Sequence, residues 1–342
     1  MNIRTEQEII NSWKYVDEIY VSVVCMTYNQ ETYIKTAVDS FLKQEFDYKY
    51  EIIIHDDAST DSTPQIIQQY LSLYPNIIKV IKQKVNQYSI KPTLPSINTL
   101  NEAQGRYIAI CEGDDYWIDS RKLKLQFEKL EANPSVNLCF HSYKYIIDGQ
   151  FSDSKLSSFQ ENVPFEDIVL AGGGGLCTAS LFIRRCAMLP LPKFFRNAPV
   201  GDYFMQVIAA SSGGAIYLNE NMAAYRVNSI GSWSASIKSR GIVYQVKADE
   251  MVSAIKDLDC FFLERYSVLF KKAIAKEYQA YSLKALKNHS YQDFNNLIKK
   301  SWYSFRLESP KQTILFFGRK FSFLYVWFIS IEERFRTWLK KR

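Results

Sequence analysis

Four short apolar runs alternating with helix-periodic stretches constrain this chain more than any other feature. The runs are Val21–Met26, Glu51–His55, Ile77–Ile81 and Tyr107–Cys111. Apolar runs of this length, rich in β-formers and bounded by turn residues, read as buried strands. Between the first two, Ile34, Val38, Phe41 and Leu42 fall on one helical face. Ile66, Ile67, Tyr70 and Leu71 do the same after Glu51–His55, where Thr63 is placed to cap and Pro64 to open the helix. Ile97–Ala103 reads as a short helix leading into the fourth run. Strand and helix alternating at these spacings predict right-handed crossovers and a parallel sheet covered on both faces.

Three of the runs end in polar clusters: Thr27-Tyr28-Asn29-Gln30, Asp56-Asp57, and Glu112-Gly113-Asp114-Asp115, with Tyr116-Trp117 beyond. Open α/β sheets bind ligands at the carboxyl edge, where these clusters would gather. Acids packed this closely repel one another unless a cation or strong donors compensate them. A hard divalent ion is the natural partner of an all-oxygen set, and Mg²⁺ or Mn²⁺ held this way usually carries substrate phosphates too. Taken alone, the acidic turn reads equally well as a capping turn, because Asp119 lies just before the Lys122–Leu130 helical pattern. Convergence of three strand ends favours the ligand site.

The motifs also occur in a recognisable order. Val21–Asn29, Asp56-Asp57-Ala58-Ser59-Thr60-Asp61, Asn98–Gly105 leading into Tyr107–Ile110, and Glu112–Trp117 are followed by Gly201-Asp202-Tyr203, Met222–Arg226 and Gly231–Ser234. This set resembles the family-2 glycosyltransferases of the GT-A fold, which use nucleotide-diphosphate sugars. The resemblance implies an α/β, Rossmann-like GT-A domain over 18–235, its mostly parallel sheet flanked by helices. A helical C-terminal region follows at 236–310, and an aromatic, basic tail at 311–342.

By the same resemblance, Asp114 stands at the metal-binding position of an Asp-x-Asp motif, with Glu112 in place of its first Asp and Mn²⁺ or Mg²⁺ as the ion. Asp115 neighbours the donor sugar or the metal. Asp57 corresponds to a pyrimidine-contacting acid, and Thr27, Tyr28 and Asn29 line the nucleoside pocket; the plain alternative for Asp57 is a turn residue before a helix. Asp202 resembles the catalytic base, which implies inversion in a single displacement, although an acid at a helix start is also favourable with the helix dipole. Where relatives carry a metal-binding His, this chain has Asn228. Arg226 is a candidate phosphate contact or a surface ion pair. Trp117 and Trp233 can stack on sugar faces or pack in a core.

Beyond the acidic turn, strands are expected at Val136–Ile147, Thr178–Arg184, Ile216–Leu218 and Ala223–Val227. Helices are expected at Val163–Leu170 and from Asp202, and a polar loop at Phe151–Gln160. Gly172–Gly175 has no Lys-Ser/Thr after it and is not a P-loop. Six scattered cysteines without metal-ligand spacing predict buried, reduced thiols.

From Lys311 to Arg342 eight basic residues face only Glu332 and Glu333, an excess of six that equals the net charge of the whole chain. The body is formally neutral, which argues against a nucleic-acid partner. The apolar part of Ile314–Ile329 is too short to span a bilayer, but its aromatics and basic residues suit a helix lying in a membrane interface; packing on its own domain or on a partner subunit is the alternative. Met1–Asp17 lacks an apolar signal core, which predicts a cytoplasmic protein, peripheral on the inner face of the membrane if the tail binds it. The expected activity is transfer of a sugar from a UDP-sugar or similar donor to a glycan or lipid-linked acceptor. A non-catalytic nucleotide-sugar binder is the competing reading. A nucleotidyltransferase is disfavoured, since Val21–Gln30 has no glycine or basic residue for a triphosphate loop.

Overall fold

The computed structural model describes residues 3–154, 156, 159–227, 229 and 243–319. The chain forms two units, residues 1–240 and 241–342.

The first unit is built on one sheet. Its strands are β1 (Val21–Thr27), β2 (Tyr50–Asp56), β3 (Ile78–Lys82), β4 (Tyr107–Ile110), β5 (Tyr116–Trp117), β6 (Leu138–Ile147), β7 (Gln150–Asp153), β8 (Asn162–Val163), β9 (Phe182–Arg184) and β10 (Ala215–Arg226). The order is β3-β2-β1-β4-β9-β6-β10-β5, with β7 on β6 and β8 on β10. From β3 to β4 every pairing is parallel. β9 runs against both β4 and β6, and β6 is parallel to β10. All of β2 and β4 and nearly all of β1 is buried, as continuous hydrophobic strands covered on both faces require. At the sheet edge β3 exposes Lys79 and Lys82 and only half-buries Val80 and Ile81, unlike the buried strand expected there. The helices Ile34–Leu42, Thr63–Leu73, Leu94–Glu102 and Lys122–Glu131 supply the crossovers and their apolar sides cover it.

Several local expectations are corrected. Thr63 is not a helix cap: the helix already includes it, and its hydroxyl accepts the Gln30 N–H at 2.8 Å. Ile216–Leu218 and Ala223–Arg226 belong to one strand, β10; the exposed Asn219-Glu220 breaks its apolar pattern where its register against β6 shifts. Thr178–Ser180 forms a 3₁₀ turn before the short β9. The start of the expected polar loop, with Gln150 before it, pairs with β6 as Gln150–Asp153; all four residues are exposed, so no alternation marks the strand. Cys25, Cys111, Cys139 and Cys177 are buried, whereas Cys186 and Cys260 are exposed, and all six are free thiols.

The N-terminal helix Glu6–Ser12 also belongs to this unit. Thr5 and Glu8 close a capping box, Ile9 is buried, and the Tyr74 hydroxyl donates to the Arg4 carbonyl at 2.8 Å. The helix Asp202–Ala210 is apolar nearly all round and is buried from Tyr203 to Ala210.

The second unit is helical: Tyr244–Phe261, Ser267–Lys287, Tyr291–Ser304 and Pro310–Gly318. Phe270, Leu286, Phe294, Leu297 and Ile298 form its core. The last helix docks by stacking Phe316 on Trp302, ring centroids 4.5 Å apart. The remainder of the aromatic and basic tail, 320–342, lies outside the described residues. Among those described, no helix is long and apolar enough to cross a membrane.

Candidate active site

The site lies where β1, β2 and β4 end. Thr27 pairs with Asp56 across β1 and β2, and the turn after β4 continues along β1 through Gly113 N–H to the Met26 carbonyl at 3.0 Å. Position 113 has to be glycine here. A Cβ would lie 2.4 Å from Gln30 Oε1 and 2.8 Å from Thr27 Oγ1. The close seat brings Gln30 to the acids: its Oε1 accepts from the Thr27 hydroxyl at 2.7 Å and its side chain hydrogen-bonds the Asp114 carboxylate.

Glu112, Asp114 and Asp115 each place one carboxylate oxygen within 4.8 Å of the others. Burial pushes all three carboxyls above their ordinary range. The charge of Asp114 adds to the effect at Glu112 and Asp115, and the charge of Asp202 adds further at Glu112. Asp202 thus reaches Glu112 through its charge although 90 residues of sequence separate them. Burial lifts its own carboxyl to about 6, against the stabilising N–H groups of Tyr203 and its own backbone. Asp202 Oδ1 accepts the Tyr203 N–H at 2.7 Å.

Two further groups hold the turn. The Ser229 hydroxyl donates to Asp114 Oδ2, and the Arg226 N–H donates to Asp115 Oδ1 at 2.8 Å. Asp115 is fully buried, and its Oδ2 finds no hydrogen-bond partner among the described residues. An all-oxygen cluster with raised carboxyls and an orphaned buried oxygen fits a hard divalent cation, whose charge relieves the repulsion.

On the other side of the acids, the β1 and β2 turns are laced together. Asn29, with φ of 51°, donates its N–H to Ser59 Oγ at 2.9 Å and accepts the Thr60 N–H on Oδ1 at 2.7 Å. Asp57 accepts the N–H groups of Gln87 and Tyr88, one on each carboxylate oxygen, at 2.7 and 2.9 Å. Tyr28 is exposed beside this frame.

Trp117 lies elsewhere. It is 4% exposed, its Nε1 donates to the Ala179 carbonyl at 3.2 Å, and Lys122 Nζ stands 4.2 Å from its ring centroid. It is a core residue with no face left for a sugar. Arg226 forms no surface ion pair among the described residues: its half-buried guanidinium donates to the Asp114 carbonyl and lies near the Tyr33 and Tyr116 rings. Asn228 and Trp233 fall outside the described residues.

The sequence profile of Glycosyl transferase family 2 matches residues 22–187, the span that carries the acidic turn and both flanking strand ends. An uncharacterized protein of Mycobacterium tuberculosis is 32% identical over 238 residues, 69% of this chain and 67% of the relative. The chain belongs to glycosyl transferase family 2. This glycosyltransferase is also similar to the putative teichuronic acid biosynthesis glycosyltransferase TuaG of Bacillus subtilis, at 27% identity over 257 residues, 74% of this chain and 95% of TuaG. Among solved structures, S. aureus TarS 1-349 in complex with UDP shares the fold with a TM-score of 0.60 at 17% identity, over 90% of this chain and 92% of that one. The mannosyltransferase PcManGT from Pyrobaculum calidifontis, in complex with GDP-Man and Mn²⁺, does so with a TM-score of 0.50 at 15% identity, over 93% and 90%.

Several groups around the acidic turn of this glycosyltransferase are not legible in the sequence. Ser229, Tyr33 and Tyr116 carry no local signal, because their roles come from strands and loops that meet only in the fold. Gln30 was legible in principle, as the residue that closes the polar end of β1.

Proposed function

We propose that this glycosyltransferase transfers a sugar, with inversion, from a nucleotide-diphosphate sugar to a hydroxyl of a glycan or lipid-linked acceptor in surface polysaccharide synthesis. The observation that supports the proposal is the gathering of Glu112, Asp114 and Asp115 oxygens within 4.8 Å of one another at the carboxyl edge of the sheet, with Asp202 near enough for its charge to act on Glu112. We take the donor to be a UDP-sugar, a reading supported by the UDP complex of the similar TarS fold. The acceptor class is supported by the teichuronic acid role printed for TuaG.

In this reading the Thr27–Asn29 turn and Asp57 hold the nucleoside, and Asp115 neighbours the donor sugar. A divalent ion held by Asp114 and Glu112, Mn²⁺ or Mg²⁺, would supply charge stabilisation to the leaving diphosphate. Asp202 accepts the proton of the attacking hydroxyl. Its Oδ1 accepts the Tyr203 N–H, and in this reading Oδ2 takes the proton. A carboxyl raised to about 6 is still ionised at neutral pH and is a stronger base than an ordinary one. Base and leaving group on opposite faces of the sugar give one displacement.

The C-terminal helix exposes Phe317, and with the aromatic and basic sequence beyond it we assign this end a peripheral contact with the inner face of the membrane. The deciding experiment for the activity is a panel of UDP-, GDP- and dTDP-sugars tested for binding and slow hydrolysis, with Mn²⁺, with Mg²⁺ and with chelator. One donor turned over with metal and lost in Asp114→Ala supports the reading. A folded protein that binds none of them removes it.

A further inference from the structure

Arg226 is the last residue of β10 and makes three kinds of contact with the acidic turn. Its backbone N–H donates to Asp115 Oδ1 at 2.8 Å, and its guanidinium donates to the Asp114 carbonyl. The guanidinium carbon stands 4.6 Å from the ring centroid of Tyr116 and 4.9 Å from that of Tyr33. Tyr116 continues the acidic turn into β5, which pairs antiparallel with β10 at Ala223 and Ala224. Tyr33 stands just before the helix Ile34–Leu42. One side chain thus ties together the end of β1's turn, the acidic turn and the far strand.

We propose that Arg226 is a positioning residue that sets the affinity of the acidic turn for its divalent cation, acting through the backbone of Asp114 rather than by touching the donor. The proposal rests on the metal-site reading above. Two physical effects of Arg226 oppose each other. Its positive charge, next to the acids, disfavours a second cation; its planar fork and two ring contacts fix the turn so that no conformational freedom is lost when the ion binds. The geometry says that fixation dominates, because the guanidinium is spent on a carbonyl and two rings instead of on a carboxylate. Lysine keeps the charge but cannot reproduce a planar group in contact with two rings and a carbonyl at once.

The test is Mn²⁺ titration of the full chain, alone and with UDP or GDP, followed by the electron paramagnetic resonance signal of the free ion. Arg226→Lys, Arg226→Gln and Tyr33→Leu are compared with the unaltered protein, each first shown to be folded by circular dichroism. Fixation predicts that all three weaken Mn²⁺ binding, the two Arg226 variants by about 10- to 100-fold, as loss of groups that orient metal ligands typically does. It also predicts that added Mn²⁺ restores kcat in Arg226→Lys while the apparent metal constant stays raised. Unchanged Mn²⁺ affinity in Arg226→Lys, or tighter binding in Arg226→Gln, overturns the proposal in favour of a packing or purely electrostatic role. If Arg226→Gln fails to fold, Tyr33→Leu and Arg226→Lys carry the decision. Absence of Mn²⁺ binding by the unaltered protein is a different result, since it removes the metal-site reading and this inference with it.

Discussion

Asp57 accepts the backbone N–H of Gln87 at 2.7 Å, across 30 residues of sequence, and so fixes the segment that follows β3 to the end of β2. The same carboxylate takes the Tyr88 N–H. An acid that holds two backbone amides stabilises its loop whatever else it touches. Asp57→Ala leaves both amides unsatisfied and is expected to cost about 1–2 kcal/mol, in the range of a lost helix cap. Thermal denaturation reads this directly. A titration with UDP then separates the loop effect from a nucleotide contact: affinity falls in our reading, and a destabilised variant with full UDP affinity would leave Asp57 as a purely structural acid.

Asp202→Asn tests the base. Loss of a general base lowers kcat by about 10²- to 10⁴-fold, and donor affinity should hold, because Asp202 is assigned to the acceptor proton. In the unaltered enzyme the rate should rise with pH through about 6 as the Asp202 carboxyl ionises. A flat profile from pH 5 to 8, or a variant with normal turnover, would take the role away from this residue.

Crowding of the acids has a thermodynamic signature of its own. Burial, with Asp114 and Asp202 nearby, raises the Glu112 carboxyl to about 8 in the folded chain. A group raised on folding contributes fully below its unfolded value and loses that contribution as pH climbs through the folded one. In chelator, therefore, the unaltered protein should lose stability between about pH 4.5 and 8 relative to Glu112→Gln. Added Mn²⁺ should close the gap, since the cation compensates the charge. Each kcal/mol corresponds to about 2–4 °C in Tm for a domain of this size. Parallel melting curves across that range would mean that the acids are already compensated by protein groups.

Trp117 separates the core from the site. Trp117→Ala opens a cavity beside Phe41 and should cost about 3–5 kcal/mol, while Trp117→Phe costs much less and leaves donor KM unchanged. A large rise in KM with stability intact would return Trp117 to the sugar-binding surface, against its burial.

What could be read in the sequence followed one physical line. Strands buried on both faces leave long apolar runs, so β1, β2 and β4 were legible, and a parallel sheet gathers their polar ends by necessity. The helix from Asp202 was visible because its apolar face is nearly complete. Illegible were groups whose roles depend on distant pairing. Gln150–Asp153 is exposed on both faces and left no pattern. Arg226 reads as one more basic residue until β10 brings it against Asp114. Thr63 has the chemistry of a cap and was read as one, but the close approach of the β1 turn claims its hydroxyl first.

The pairing of β5 with β10 also orders events in time. Asp115 and Arg226 lie 111 residues apart, Asp114 and Ser229 115. Contacts this remote in sequence form only after the entropy of closing the intervening loop has been met. A nascent chain that ends before Ala215 already carries every acid of the turn but has no strand to pair with Tyr116-Trp117 and nothing to hold Asp115. In this fold the acids come first in the chain, and the groups that hold them follow more than 100 residues later.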